Sequence, residues 1–174
     1  MNATALYPNS KMKISLYTGD KETVKEGEYT EEVNKYFDCS EWISNASFSL
    51  NETNNQYYFL ARKGFAMNST TGLAPVLSCS GKRMPNDSSQ QRIEQMKYKL
   101  GPERKGILKL TIDANPTDVD VPAAETVYFI PVNVQNIVPF GGEGNADSDF
   151  SVDFAFDGEP STAEDNIPDP YEED

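Results

Sequence analysis

Carboxylates are the most plentiful ionisable side chains of this sequence. The chain has 174 residues, of which 28 are Asp or Glu and none is His. Because histidine is the usual general base and the commonest metal ligand, its absence excludes Ser-His-Asp and Cys-His catalysis and His-based zinc sites. A carboxylate pair can support glycoside hydrolysis, but no pattern here sets one carboxylate against another among apolar residues. We therefore expect no enzymatic activity.

Two acidic stretches resemble calcium-binding loops without completing the pattern. DANPTDVDVPAAE, which starts at Asp113, places oxygen ligands at positions 1, 3 and 5 of an EF-hand loop. Asp118 stands where that loop requires glycine, however, and Ala124 stands where the bidentate glutamate belongs. NADSDFSVD fails similarly, with Phe150 at the glycine position. We interpret both stretches as Asn- and Asp-rich turns and expect neither a metal nor another cofactor.

The cysteines and glycines also lack the spacing of a site. Cys39 and Cys79 are 40 residues apart, and neither belongs to a Cys-x-x-Cys pair. Such thiols are typical of reduced cysteines in a core or on a surface, with a single disulfide as the alternative. The glycines at 141–145, GGEGN, fit a turn rather than a phosphate-binding loop.

The charge of the chain is concentrated at its C-terminal end. Residues 141–174 contain 12 acidic residues and no Lys or Arg, so the first 140 residues are nearly neutral although the net charge is -13. Nucleic-acid binding needs cations that displace counterions, which this composition opposes. No apolar run is long enough for a signal peptide or a membrane span, so we expect a soluble protein made in the cytosol.

The stretch FSVDFAFDGEP at 150–160 has two chemically different faces. Strict alternation of this kind predicts a half-buried strand. Its apolar parity consists of Phe150, Val152, Phe154 and Phe156, and its polar parity includes Ser151, Asp153 and Asp157. Further strands are predicted at 11–18, 45–51, 56–61, 75–81, 105–113 and 126–138.

The remaining segments lead to more specific expectations. We expect 45–51 and 56–61 to form a β-hairpin and 64–73 to be a turn-rich loop. Residues 19–44 are polar and predict a long loop with a short helical piece around 30–37. Pro131 lacks a ladder donor, so it predicts a sheet edge or a break between two short strands.

One convincing helix is predicted, at about 88–100. Asp87 or Ser88 can cap its start, and Ser88-x-x-Gln91 fits a capping box. Gly101, followed by proline, ends it. Three residues form its apolar face: Ile93, Met96 and Leu100.

This count of strands, with one helix and no βαβ alternation, predicts a mainly β protein. We expect an antiparallel β-sandwich or barrel with one flanking α-helix. A single domain covers 1–160 and includes an N-terminal arm at 1–10 and the long loop at 19–44. Residues 161–174 are too acidic to bury, so they predict a mobile tail.

The segment from 78 to 110, SCSGKRMPNDSSQQRIEQMKYKLGPERKGILKL, resembles the tail tube (major tail) proteins of long-tailed bacteriophages that infect Gram-positive bacteria. The matching residues include Gly81-Lys82-Arg83 at a strand end, Asp87 three residues before Gln90, Ile93 in the helix, Leu100-Gly101, and Arg104-Lys105. A Gly-Gly-acid turn and the closing Phe156-x-Gly158-x-Pro160 also match, so the resemblance covers roughly 75–160. Ser88-Ser89 departs from an expected Pro-Ala but still caps a helix.

The resemblance implies a non-enzymatic subunit of a phage tail. Such subunits form stacked hexameric rings around an inner β-barrel, through which genome DNA passes without specific binding. The expected partners are further copies and the tape measure, terminator and baseplate components, in the virion tail and, during assembly, in the host cytoplasm. Residues expected to face the lumen are Asp149, Ser151, Asp153 and Asp157. The expected helix and assembly motif consists of Lys82, Arg83, Asp87, Gln90, Ile93, Arg104 and Lys105.

Two other functions are compatible with the residues. A monomeric acidic adhesin or binding module would use the long loops and the nine Tyr for a ligand, and its five Asn-x-Ser/Thr sequons would carry glycans. A tail terminator or a related secretion-tube protein would share the tail tube fold, and a single ring rather than a stacked tube would favour the terminator.

Overall fold

The structure is a computed structural model, which describes residues 12–18, 36–58, 65–113, 125–142 and 147–162. Nine strands, one α-helix and one 3-10 turn lie within these ranges. The strands are β1 (Met12–Tyr17), β2 (Tyr36–Asp38), β3 (Ile43–Ser49), β4 (Thr53–Tyr58), β5 (Ala66–Gly72), β6 (Val76–Lys82), β7 (Lys105–Asp113), β8 (Glu125–Val138) and β9 (Asp149–Phe156). The helix α1 covers Ser88–Gln95, and the 3-10 turn covers Gly101–Arg104.

Seven of these strands form one antiparallel sheet in the order β2-β1-β7-β8-β9-β6-β3. The two outermost strands, β2 and β3, are joined by four residues, 39–42. This short link keeps the two edges of the sheet close to each other. Its first residue, Cys39, donates from its backbone N to Ile14 O of β1 at 2.8 Å. The predicted mainly β, antiparallel fold with one flanking helix is therefore confirmed.

The main core lies between the concave side of this curled sheet and α1. It contains the apolar parity of β9 together with side chains from β1, β6, β7 and β8, and Ile93 and Met96 from the helix. Trp42 joins this core and meets Phe150 edge-to-face, with ring centroids 4.9 Å apart. Cys39 and Cys79 are free thiols buried in the same core.

The alternation predicted for β9 is present. Phe150, Val152 and Phe154 are buried, whereas the side chains of the opposite parity are partly or fully exposed. Phe156 is half-buried and packs on Phe48 of β3, with 5.6 Å between ring centroids.

The predicted hairpin between 45–51 and 56–61 is wrong. β3 pairs with β6, where Ala46 lies opposite Cys79, and β4 pairs with β5 in a separate two-stranded sheet. The predicted loop at 64–73 consequently contains a strand. Every residue of β4 is exposed, so this hairpin has no apolar face to signal its pairing.

The segment predicted as a long loop at 19–44 also contains sheet. Residues 36–38 form β2, paired with Ser15–Tyr17 of β1, and β3 begins at Ile43. Tyr36 and Phe37, the last two residues of the helical piece expected around 30–37, therefore lie in a strand, and the rest of that piece lies outside the described residues. Residues 19–35, the arm at 1–10 and most of the tail, 163–174, lie outside the described residues.

Pro131 neither ends nor breaks β8, which is one continuous strand between β7 and β9. Its carbonyl accepts a hydrogen bond from Asp157 N at 2.8 Å, just after β9 ends at Phe156. Two residues earlier in β8, Phe129 pairs with Ser161, so the chain after β9 contacts β8 again there. The missing N–H of Pro131 thus faces the detour at 157–160, where no ladder donor is needed.

The helix is shorter than predicted and starts with a different cap. Asp87 is the N-cap and accepts from Gln90 N at 2.8 Å. The Ser88–Gln91 capping box is absent because Gln91 Nε2 donates to Pro85 O instead. The helix ends at Gln95, with Met96 as its C-cap. Leu100 lies beyond it and is exposed rather than packed.

Candidate functional site

The exposed side of β3, β6, β9 and β8 is lined by small polar side chains. The strand registers place Ser47, Ser78, Asp153 and Gln135 in one row across the four strands. A neighbouring row contains Asn45, Ser80 and Ser151. Because directly opposed residues share one face of a sheet, these seven residues form a continuous surface, here called the polar face.

On the same side of the sheet, β1 and β7 carry Ser15 and three lysines, Lys13, Lys105 and Lys109, beside a small group of apolar side chains. Tyr17, Ile107 and Phe129 form a second small core there, with Tyr36 and Val127 packed against it. Ser161 covers this small core through two hydrogen bonds with the backbone of Phe129, at 2.7 and 2.9 Å. The seven residues of the polar face lie on four of the seven strands.

The four residues expected to face the lumen follow one another along the polar parity of β9 and just beyond it. Ser151 and Asp153 lie within the polar face, and Asp149 and Asp157 lie at its two ends. Asp149 forms a salt bridge of 2.7 Å with Lys82, directly opposite it on β6. This hydrogen bond raises the pKa of the Lys82 ammonium. Asp157 forms a salt bridge of 2.9 Å with Lys105.

Asp153 has a different environment. Its Oδ2 accepts from Asn136 Nδ2 at 2.6 Å. Asn136 has a positive φ of 48° at the β-bulge between Gln135 and Val138, a conformation that asparagine tolerates better than most residues. Within the part of the chain that the structure describes, Asp153 forms no salt bridge.

The net charge of this surface is therefore small and negative. The two carboxylates at the ends of β9 are neutralised by lysines, whereas Asp153 contributes one uncompensated negative charge per chain. Hydroxyls and amides supply the rest. Such a surface holds water but offers phosphate no cation, so it lacks the main source of affinity for nucleic acid.

The residues of the expected helix and assembly motif attach α1 to the sheet of the same chain. Gln90 is fully buried, donates from Nε2 to Lys82 O at 2.8 Å and accepts from Met84 N at 2.8 Å. Asp87 accepts from Ser89 Oγ and Gln90 N. Ile93 is fully buried in the main core. These contacts hold the start of α1 against the end of β6.

The two arginines of the motif extend this attachment. Arg83 donates to Glu94 Oε2 at 2.6 Å and to Pro139 O at 3.2 Å. Arg104 donates to three backbone carbonyls, those of Lys97, Lys99 and Val134. Gly81, which precedes Lys82 and Arg83, is required at its position because a Cβ atom there would lie 1.7 Å from Trp42 O. A direct role of these residues in assembly stays a prediction.

Two further attachments of the helix were not expected from the sequence. Arg92 donates to Thr18 Oγ1 at 2.6 Å and to Thr18 O at 2.8 Å, which joins α1 to the end of β1. The Trp42 indole donates to Ser89 Oγ at 2.8 Å inside the core. The single tryptophan was a visible signal for a buried anchor, but nothing in the spacing indicated its partner.

The described residues contain no group of three or more Cys, Asp or Glu side chains able to hold a metal ion. None of the helices among them is long and apolar enough to cross a membrane.

The sequence matches no family model and no curated protein. Solved structures do match. A protein in the tail of an empty gene transfer agent particle with C6 symmetry has a TM-score of 0.60 and 12% identity, and the match covers 91% of this chain and 99% of that one. This chain therefore has the same fold as that tail protein. A protein of the native gene transfer agent virion matches with a TM-score of 0.57 and 10% identity, and the match covers the same shares of the two chains.

A third structure comes from a different kind of particle part. It is the tube-terminating cap of an anti-feeding prophage, with a TM-score of 0.53, 11% identity and coverage of 94% of this chain and 95% of that one. At these identities the likeness establishes the fold alone. It spans almost the whole of each chain.

Proposed function

We propose that this protein is a tail tube subunit that polymerises into stacked hexameric rings and forms the conduit for genome DNA in a phage tail. The observation that carries the proposal is the match over 91% of this chain and 99% of a protein from a tail with C6 symmetry. The resemblance of residues 75–160 to tail tube proteins of phages of Gram-positive bacteria narrows the expected source to that group.

The polar face supplies a suitable wall for such a conduit. Four adjacent strands present hydroxyls, amides and one uncompensated carboxylate, while their opposite side is the protein core. A barrel assembled from several copies of these strands would have a water-filled lumen with a weak negative charge. Because like charges repel and none of the seven residues of the polar face is a cation, these four strands would give DNA phosphates no strong attachment.

The hairpin formed by β4 and β5 supports assembly for a separate reason. A two-stranded hairpin is marginally stable alone in water, and this one exposes Tyr57, Tyr58, Phe65 and Met67 at or next to its strands. Tyr58 is 68% exposed and Phe65 is 77% exposed. Exposed apolar groups of this size mark interaction surfaces, so the hairpin lies against a neighbouring copy in the assembled tube.

The proposal also defines the partners and the location. Further copies of the chain form the rings, and the tape measure, terminator and baseplate components meet the tube inside it or at its ends. The protein belongs to the virion tail and is assembled in the host cytoplasm. It has no catalytic role.

Mass photometry of the purified chain over a range of concentrations tests this proposal. We expect species of six chains and their multiples. Monomers at every concentration, with glycan mass on the intact chain, would favour the binding-module alternative instead.

A tube-terminating cap is the second candidate, because the cap of the anti-feeding prophage shares the fold over nearly its whole length. A cap closes the tube with one ring. Species of six chains without higher multiples would favour this function over the tube subunit.

A further inference from the structure

An exposed patch of aromatic and basic side chains lies beside the C-terminal end of α1. It consists of Lys97, Tyr98, Lys99, Leu100 and Phe140, together with the largely buried Arg83 in contact with Phe140, and is called the basic aromatic patch. Tyr98 is 87% exposed, Leu100 81% and Phe140 63%. Lys97 Nζ lies 4.7 Å from the centroid of the Tyr98 ring and 5.9 Å from that of Phe140. These distances make the patch continuous across two separate segments of the chain.

The charges around this patch are mainly positive. Arg83 also stacks on Phe140, 5.1 Å from the ring centroid, and is paired with Glu94. Lys99 is paired with Glu103 at 3.0 Å. Lys97 and Arg104 form no salt bridge within the described ranges, so the cations exceed the carboxylates. Exposed aromatic residues are enriched at the centre of protein interfaces, and charged side chains such as lysine are typical of the polar rim around it.

The chain itself contains a segment of complementary chemistry. Residues 163–174, AEDNIPDPYEED, have six acidic side chains and no basic one. Apolar Ile167, Pro168, Pro170 and Tyr171 stand between the acids. Acids would pair with the patch lysines and arginine while these apolar side chains cover its aromatic rings. The two prolines fix φ at their positions, which reduces the entropy lost on docking.

The geometry points to a second copy as the source of this segment: we propose that residues 163–174 of one copy dock on the basic aromatic patch of another. Ser161 is hydrogen-bonded to Phe129, whereas Phe140 follows the far end of β8. Nine residues of strand separate Phe129 from Val138, which corresponds to roughly 30 Å. Six residues from Ser161 to Ile167 span at most about 20 Å.

The direction of the chain adds to this distance. β9 and its continuation to Ser161 run antiparallel to β8, so the chain at Ser161 is heading away from Phe140. Ile167 of the same chain cannot reach Phe140, and Tyr171 would need a nearly fully extended return to reach it. Lys97 lies closer to Ser161, because Arg104 bridges the carbonyls of Lys97 and Val134, so one chain's own segment could cover only part of the patch. A neighbouring copy has neither restriction.

Photo-crosslinking of the full-length chain tests the docking. Tyr171 is replaced by photo-reactive benzoylphenylalanine, and this chain is mixed with an isotopically heavy copy that lacks the probe. We expect crosslinks from the light chain to heavy peptides that contain Lys97–Leu100 or Phe140. Lys97→Glu with Lys99→Glu in the heavy copy should lower their yield by about tenfold, because two attractions become repulsions.

Two controls separate this docking from general charge effects. Lys13→Glu makes a similar change at an exposed lysine of β1, outside the patch, and should leave the yield unchanged. Glu172→Lys with Glu173→Lys in the light chain should restore the crosslinks to the Lys97→Glu, Lys99→Glu partner. Crosslinks within one chain, crosslinks to other surfaces, or a yield that the patch variant does not change would overturn the proposal.

The docking goes beyond the ring-forming function and needs only a second copy of the chain. Hexamers that form without these crosslinks would refute the docking and leave the proposed function intact. Crosslinks in a protein that never forms rings would support the docking and refute the function.

Discussion

Gly158 lies against the ring of Pro131, at the point where the chain leaves β9. A Cβ atom on residue 158 would come within 2.8 Å of Pro131 Cγ. The neighbouring Asp157 N bonds to Pro131 O at 2.8 Å and holds the two segments together. The closing Phe-x-Gly-x-Pro stretch therefore has a structural reason for its glycine, namely the close approach to a proline in the middle of β8.

Gly158→Ala should destabilise the fold by about 1–3 kcal/mol, because the added methyl group has no space beside Pro131. Chemical denaturation of the purified variant measures the loss. Gly141→Ala is the matched control, since a Cβ atom there meets its nearest neighbour at 3.6 Å, an ordinary contact. Equal stabilities of the two variants would show that the approach to Pro131 is unimportant.

Asp87→Ala should cost about 1 kcal/mol of stability, whereas Ser88→Ala should change it by a few tenths at most. Asp87 accepts the hydrogen bond of Gln90 N at the start of α1, and Ser88 is an exposed first residue of the helix. Thermal denaturation followed by Trp42 fluorescence measures both, because Trp42 is the single tryptophan and is buried. A larger loss for Ser88→Ala would restore the capping box predicted from the sequence.

Stability should fall as the pH rises above about 9. Burial raises the pKa of Cys39 and of Cys79 to about 12, from an ordinary value of 9.0. The unfolded chain therefore loses these two protons first, and stability that is complete below pH 9 is lost progressively towards pH 12. Each thiol should contribute a loss of about 2 kcal/mol between pH 8 and pH 10.5.

Urea denaturation at these two pH values checks this loss. The Cys39→Ala, Cys79→Ala variant is the reference, because lysines and tyrosines titrate in the same range in both proteins. The wild-type chain should lose more stability than the variant on going to pH 10.5. Parallel losses would mean that the thiols are ionised in the folded state or exposed.

Asp153→Lys should make assembled tubes retain DNA. The change turns the uncompensated negative charge of the polar face into a positive one, which is repeated in every subunit of the wall. Binding of short duplex DNA to assembled protein, measured at low salt, should rise at least about tenfold and fall again as salt is added. Glu41→Lys, an equal charge change in the exposed link between β2 and β3, should bind much less. Equal binding by both variants would place Asp153 away from the conduit.

The sequence predicted those parts of the fold in which one face is buried. Phe150, Val152 and Phe154 repeat with a period of two because they fill the core, so β9 was recognisable. β4, TNNQYY, has no buried side chain, and its pairing with β5 left no such pattern. Pro131 was misinterpreted because a proline inside a central strand is acceptable only if the neighbouring chain turns away, which is a property of 157–160.

The candidate surface was only partly predictable for a related reason. Alternation along β9 identified the polar parity, but the partners of its carboxylates depend on strand register. Lys82 lies opposite Asp149 only because β6 pairs with β9 in that register, and the bulge at Asn136 brings an amide to Asp153. The first feature reduces the charge expected from the acidic residues alone, whereas the second gives Asp153 a neutral hydrogen-bond donor and leaves its charge in place.

The central claim is that copies of this chain form a tube with the polar face on its inner wall. A cryo-EM reconstruction of the assembled protein tests it most directly. The account predicts stacked six-fold rings around an open channel, with Asp153 on the channel surface. Particles without a channel, or a tube with Asp153 on its outer surface, would contradict it.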